Sequence, residues 1–324
     1  IDLTEAEGIN DLINAETEAQ RDQGLNQLEG ALRLQLEKWS NDLKGFGAHI
    51  EAYIDFPDEQ IPENVLSDLL QGVEETNREL KEFVDDDRKG EILRSGLKVA
   101  VIGPPNVGKS SFVNWLTKRD IAITSEKAGT TRDIVEAHLD LGGYPVTVAD
   151  TAGMRESEDT IEQEGIRRAR SWSESADLRV LILDPETAED ANAFSDLLKS
   201  GDPVLMNKAD RITIVKKKMS AAYSLVSVKT GYGLESILSE LTTIAKRKMG
   251  TQKPTTITQA RHRALLNDCL TALREADFGL RNHADLELIA EDFRSAIYCI
   301  GRITGHIDVE DLLDVVFKEF CIGK

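Results

Sequence analysis

The chain has 324 residues, room for two domains at roughly 150 residues each. With 40% hydrophobic and 30% charged residues the composition is that of a folded globular protein, which excludes wholesale disorder. A formal net charge of −19 excludes a protein that grips nucleic acid over its whole surface, although a local basic patch stays open.

Residues 1–94 read as helix. Leu25, Leu28, Leu32, Leu36, Trp39, Leu43, Phe46, Ile50 and Tyr53 step by 3 or 4, which predicts the apolar seam of one long helix weakened locally by Gly30, Gly45 and Gly47. Phe56-Pro57 and Ile61-Pro62 break that seam, and Leu66, Leu69, Val73, Leu80 and Val84 form a second one. From Leu97 the texture changes. Short apolar runs at 98–102, 134–141, 146–149, 178–184, 203–206 and 223–228 alternate with helical patterns. That alternation predicts a mostly parallel sheet covered by helices on both faces. Gly142-Gly143 between the second and third runs predicts a hairpin, hence an antiparallel edge. After 251 the pattern is helical again, with stripes Leu266/Leu270/Leu273, Leu286/Ile289/Phe293/Ile297/Ile300 and Leu312/Leu313/Val316/Phe320. Neither helical half can bury its stripe alone. The expected architecture is therefore α/β plus all-α: an α/β domain, 95–250, with a mostly parallel sheet and helices on both faces, inserted into a discontinuous helical bundle of 1–94 and 251–324.

No apolar run approaches the ~18 residues of a membrane span, and Ile1-Asp2-Leu3-Thr4-Glu5 lacks the basic start of a signal peptide. A start at isoleucine reads as that of a fragment. Cys269, Cys299 and Cys321 have no disulfide or zinc spacing, so a reducing, cytoplasmic setting is expected. Cys269 and Cys299 fall in apolar stripes and read as core. The five histidines are scattered, and aromatics at 5% argue against stacking platforms for single strands.

Gly103-Pro104-Pro105-Asn106-Val107-Gly108-Lys109-Ser110 fits G-x-x-x-x-G-K-[ST] between a predicted strand and a helical pattern. Such a loop, with Val107, Gly108 and Ser111, wraps phosphates in backbone N–H groups. Lys109 places a charge on the β- and γ-phosphates, and Ser110 offers a hydroxyl to Mg²⁺. Asp150-Thr151-Ala152-Gly153 ends a predicted strand. Asp150 is placed to hold the Mg²⁺ shell, and the Gly153 N–H to approach a γ-phosphate. Asn207-Lys208-Ala209-Asp210 follows another strand and reads as a guanine reader, because one carboxylate accepts from both N1–H and the exocyclic amine. Ser227-Val228-Lys229 is its companion loop. These motifs in this order, each after a strand, resemble the Ras-like GTPases.

Between the first two motifs, Gly129-Thr130-Thr131-Arg132-Asp133, taken with Asn106, resembles the TrmE–Era–EngA branch. Within it the chain is similar to the MnmE (TrmE) family over essentially its whole length. The likeness rests on the insertion in a helical domain, on Ile54-Asp55-Phe56-Pro57-Asp58-Glu59 and on Phe320-Cys321-Ile322-Gly323-Lys324. The resemblance implies a K⁺-activated GTPase. It implies K⁺ contacts from Asn106, Ser125, Lys127 and Thr130, Thr131 as an Mg²⁺ ligand, and Glu162 as the residue that orients water. The family usually has threonine where Ser125 stands and an apolar residue at Lys127, departures that backbone carbonyl contacts would tolerate. Met154 stands where Ras-like enzymes carry a water-orienting glutamine. Without the resemblance Glu162 reads as part of a solvated acidic face with Glu156, Glu158, Asp159 and Glu164. Cys321 is either a small buried hydrophobe or a participant in tRNA modification.

The resemblance further implies a GTPase that powers wobble-uridine modification of tRNA with a flavoprotein, MnmG (GidA). It implies homodimerisation of the GTPase domains in the transition state and a folate-binding domain upstream of Ile1. The charge of −19 leaves most tRNA contact to the partner or to that upstream domain. The alternative is an Era- or EngA-like ribosome-assembly switch. Those need a basic RNA-binding domain after the GTPase domain or a second phosphate loop, and neither pattern occurs in these residues.

Overall fold

The structure, a computed structural model, describes residues 2–55, 63–119, 121, 136–150, 172–187, 193–211, 223–250 and 255–305. It divides into two units. One comprises Ile1–Ala15, Arg21–Arg94 and Gln252–Lys324; the other comprises Glu16–Gln20 and Ser95–Thr251. The α/β unit is thus inserted into a helical unit made of chain segments from both ends.

In the helical unit α1 spans Leu3–Ile13, α2 Glu18–Leu28, α3 Ala31–Asp55, α4 Glu63–Val84 and α5 Lys89–Ser95. A capping box starts α1, with the Glu5 N–H donating to Asp2 Oδ1 at 2.7 Å and the Asp2 N–H to Glu5 Oε2 at 3.2 Å. The core is the stripe of α3 (Leu32, Leu36, Trp39, Leu43, Ile50) and that of α4 (Leu69, Val73, Leu80). Both pack on two helices contributed by the far end of the chain. Those are Ala260–Arg281, with Leu266, Leu270 and Leu273 buried, and Leu286–Thr304, with Ile289, Phe293 and Ile300 buried. Trp39 meets Phe83 edge-on at 5.2 Å between ring centres, and its indole N–H donates to Glu79. The stripe Leu312 to Phe320 lies outside the described residues.

One expectation is corrected. The apolar seam 25–53 is not one helix: it breaks at Gly30, whose φ of +79° lies in the left-handed region that favours glycine. N-terminal to that break the buried face is polar. Leu25 is 39% exposed while Gln23 and Gln27 are buried. The reason is close backbone approach. A β-carbon on Gly8 would lie 2.9 Å from the Leu28 nitrogen, and one on Gly24 would lie 3.0 Å from that of Leu12. Helices this close present backbone carbonyls to the buried side chains, and leucine has no donor for them. Amides that bond backbone fill the site instead: Gln23 Nε2 donates to the Gly90 carbonyl and Gln27 Nε2 to that of Thr4, each at 3.0 Å.

In the α/β unit β1 is Leu97–Ile102, α6 Lys109–Thr117, β2 Glu136–Asp140, β3 Pro145–Asp150, β4 Leu178–Leu183, β5 Val204–Met206, β6 Ser224–Leu225 and α7 Leu234–Met249. The two far helices follow as α8 (Ala260–Arg281) and α9 (Leu286–Thr304). The sheet runs β2-β3-β1-β4-β5-β6, parallel except for the β2–β3 hairpin at one edge. That hairpin turns through Gly142 and Gly143, both at positive φ, a twist that matches the strands. Apart from the exposed Lys98, β1 and β4 are buried on both faces, as parallel central strands are. The exception in chemistry is Arg179, 1% exposed in β4, whose guanidinium donates to the carbonyls of Ser173 and Glu174. No described helix is long and apolar enough to cross a membrane.

Candidate nucleotide site

Crossing from β1 to α6 in six residues demands unusual backbone. Gly103 has φ +141°, Asn106 +63° and Gly108 +101°. The two glycines are enforced by contact as well as by angle. A β-carbon at Gly103 would lie 2.1 Å from the Ile182 carbonyl oxygen, and one at Gly108 would lie 2.4 Å from Asn207 Nδ2. α6 begins at Lys109 and turns the positive end of its dipole toward this loop. The Lys109 side chain is buried and curls back, its ammonium donating to the Gly103 carbonyl at 2.8 Å and the Pro104 carbonyl at 2.6 Å. A phosphate oxygen entering the loop would find this charge already turned inward. Val107 is buried, whereas Asn106, Ser110 and Ser111 are exposed at the loop and the first turn of α6.

The ends of β5 and β6 bring up the second half. Asn207, 4% exposed, donates from Nδ2 to the Val107 carbonyl at 2.8 Å and accepts at Oδ1 from the Val228 N–H at 3.1 Å. This one side chain braces the phosphate loop against the 227–229 loop. Asp210, by contrast, is exposed and takes the Ser227 hydroxyl at 2.6 Å. That hydrogen bond, with the charges of Lys229 and Arg211 beyond it, holds the Asp210 carboxyl below the ordinary aspartate value. An ionised carboxylate fixed on one oxygen can offer acceptor lone pairs to a paired N–H edge. Ser227 is buried and its own backbone closes a turn, its N–H donating to Tyr232 and its carbonyl accepting from Gly231.

A residue outside the predicted set also enters. Asp184 follows β4 directly, is 2% exposed and ion-pairs with the Lys208 ammonium. Burial raises its carboxyl, but the bonds from Lys208 and Thr187 outweigh that and leave it below the ordinary aspartate value. The sequence signal was available: an aspartate ends an apolar strand, with a threonine three residues on that closes an aspartate turn.

The geometry therefore brings together Asn106, Val107, Gly108, Lys109, Ser110 and Ser111 with Asn207, Lys208, Asp210, Ser227, Val228 and Lys229. Asp150 is described in its backbone only. It pairs in register with Val101, which puts it at the end of β3 beside the start of the phosphate loop. Ser125, Lys127, Thr130, Thr131, Gly153, Glu162 and Cys321 lie outside the described residues. Among the described residues no group of three or more His, Cys, Asp and Glu could hold a metal ion. The donor that is described, the exposed Ser110 hydroxyl, is an oxygen. It fits Mg²⁺, an ion that takes few protein ligands and completes its shell with water and phosphate oxygens.

The MnmE helical domain family matches residues 3–321. A curated relative from Parvibaculum lavamentivorans, named tRNA modification GTPase MnmE, is 46% identical over 324 residues, covering 100% of this chain and 73% of its own length. One of the same name from Rickettsia bellii is 47% identical over 331 residues with the same coverages. Among solved structures, the G domain of the T. maritima FeoB iron transporter aligns at 23% identity and a TM-score of 0.35, covering 46% of this chain and 98% of its own. At that level of identity to the Parvibaculum and Rickettsia proteins, across its whole length, the chain belongs to the MnmE family of tRNA modification GTPases.

Proposed function

We propose that the protein is a K⁺-activated GTPase that hydrolyses GTP to GDP and phosphate. Its cycle drives conformational changes needed for wobble-uridine modification of tRNA. The observation that carries the nucleotide reading is the Asn207 brace: one buried amide joins the phosphate loop to the 227–229 loop, while Ser227 fixes the Asp210 carboxylate. A triphosphate end and a guanine edge are then served at fixed separation. In this reading residues 95–250 form the GTPase domain, and 1–94 with 251–324 the helical domain that relays its motion.

Lys109, with the dipole of α6, neutralises the β- and γ-phosphates. Ser110, Thr131 and, through its shell, Asp150 would hold Mg²⁺, and Gly153 would meet the γ-phosphate. Asn106, Ser125, Lys127 and Thr130 would hold K⁺. The two cations supply positive charge where the transition state gathers negative charge. Glu162 orients the attacking water, a task that Met154 cannot perform. Cys321 belongs to the modification step. The partners in this reading are a second copy, joined through the GTPase domains, and the flavoprotein MnmG (GidA), which carries most of the tRNA contact. A folate derivative would bind upstream of Ile1.

The test is GTP hydrolysis at equal ionic strength in K⁺ and in Na⁺, for the natural sequence and for Asn106→Ala and Glu162→Ala. K⁺ should accelerate the natural sequence strongly and Asn106→Ala not at all. Glu162→Ala should lose rate with little loss of GTP affinity. Equal rates in both salts would remove the K⁺ assignment, and a tight ATP complex would remove the guanine reading.

A further inference from the structure

We propose that Asp184 is a positioning residue of the base site: by holding the Lys208 ammonium, it lays the lysine's four-carbon stem down as a fixed wall for the nucleotide base. The proposal rests on reading residues 207–210 as the guanine loop and adds a determinant from a different strand. β4 and β5 are parallel neighbours, with Leu183 beside Met206 and the Asn207 N–H donating to the Leu183 carbonyl at 2.7 Å. The next residues, Asp184 and Lys208, therefore emerge side by side at the end of the sheet where the phosphate loop also begins.

Asp184 is built for one partner. Its Oδ1 accepts from the backbone of Glu186 at 3.1 Å, the backbone of Thr187 at 3.0 Å and the Thr187 hydroxyl at 3.0 Å. The turn so closed fixes the carboxyl plane and leaves Oδ2 for the Lys208 ammonium at 2.5 Å. Lys208 itself stands at φ +59°. A residue with a β-carbon holds that conformation only where its surroundings impose it. Its ammonium is turned into the protein, onto a carboxylate that is almost wholly buried, and not toward solvent.

The loop as a whole then has three of its four side chains pinned by separate elements. Asn207 is held by Val107 and Val228, Asp210 by Ser227 and Lys208 by Asp184. The fourth, Ala209, has nothing to pin. A free lysine would lose rotamer freedom on binding a base. One already held by Asp184 loses little, and that difference appears as affinity. The effect falls on binding of the base and is common to GTP and GDP. It does not touch the reacting phosphate, and it leaves the choice among purines to Asp210.

Asp184→Asn keeps an oxygen for the Thr187 turn and removes the charge that holds the lysine. It should raise the Kd of fluorescently labelled GDP by about tenfold and the KM for GTP in parallel. The kcat at saturation and the preference for GDP over XDP should stay unchanged. In a Lys208→Ala background the same substitution should add nothing, because the side chain it positions is gone. Should Asp184→Asn fold poorly, Lys208→Gln reads the same link from the other side and should weaken labelled GDP by a similar factor. An unchanged Kd in Asp184→Asn or in Lys208→Gln overturns the proposal. So does a loss in Asp184→Asn that persists in full on Lys208→Ala, which would mean that Asp184 supports only the fold. Absence of any GDP-over-ADP preference in the natural sequence would instead remove the underlying guanine reading, whatever Asp184 does.

Discussion

At the scale of single residues the phosphate loop shows how little freedom its motif has. Gly103 and Gly45 are both glycines in the same chain with opposite roles. A β-carbon at Gly103 would strike a backbone carbonyl oxygen at 2.1 Å on a residue whose φ is +141°, whereas one at Gly45, inside α3, would meet nothing within 4 Å. Gly103→Ala should therefore cost about 3 kcal/mol or more, because neither the strand behind it nor its own backbone can yield. Gly45→Ala should stabilise by about 0.5–1 kcal/mol, through helix propensity alone. Urea titration of both variants checks the pair, and similar midpoints for the two would contradict it. The glycine pattern of the loop was legible in the sequence because it encodes local backbone. The Asn207 brace was legible only as a motif letter. Its partners are the carbonyl of Val107, 100 positions away in sequence, and the N–H of Val228, and no local rule brings them together.

At the scale of elements the helical stripes behaved unequally. α3, α4, α8 and α9 bury the leucines, isoleucines and aromatics that their periodicity marks, since a stripe at 3.6-residue spacing has one way to leave water. α2 follows another rule, in which glycine-mediated backbone approach selects the buried amides of Gln23 and Gln27, and hydropathy counts such residues as surface. The facing pair α8 and α9 also carries two described cysteines of different standing. Burial, with Cys299 as a lesser contributor, pushes the Cys269 thiol up to about 12; Cys299, half-buried, is raised by burial and then by the charge of Asp268. The thiolate is the reactive form. Treatment with iodoacetamide near neutral pH, followed by peptide mass spectrometry, should leave Cys269 unmodified in the folded protein and label Cys299 slowly, while both label fully in denaturant. Fast labelling of Cys269 without denaturant would show that the α8–α9 contact opens.

At the scale of the whole molecule, discontinuous segments of the helical unit are tied by ion pairs that respond to acid. Glu7 of α1 accepts from Arg261 at 2.8 Å and contacts the fully buried His262 at 2.9 Å. Glu91 of α5 pairs with Arg88 and with Arg263, which also reaches Asp86. Burial raises both glutamates, but these bonds outweigh it and leave each below its ordinary value of 4.5. The folded protein thus binds these protons less tightly than the unfolded chain. Their contribution is complete above 4.5 and is lost as pH falls through the lower folded values. Asp11, raised by burial in spite of Arg94, works in the opposite sense. The urea midpoint should fall between roughly pH 5 and pH 3. Arg263→Gln should begin less stable and fall less steeply, because Glu91 then keeps only the Arg88 pair and its folded-state value lies closer to the ordinary one. Parallel slopes would mean that this network does not govern acid stability.

What the sequence determined by itself is whatever depends on short-range backbone geometry and hydropathic period. That covers the alternation of strands and helices from β1 onward, the antiparallel hairpin through Gly142-Gly143, the glycine-bearing loop between β1 and α6, and the need for the two chain ends to share one core. The tertiary structure alone decided the break at Gly30, the polar α1–α2 contact, the burial of Arg179 inside an otherwise apolar strand, and the pairing of Asp184 with Lys208. The Gly30 break is a local positive φ, and Arg179 bonds carbonyls five and six residues before it; the α1–α2 contact and the Asp184–Lys208 pair depend on separate stretches of backbone arriving within hydrogen-bond reach. Such proximity reverses the ordinary preference for where a polar group or a glycine belongs, because a buried amide, guanidinium or carboxylate is tolerated only where the fold supplies its partner.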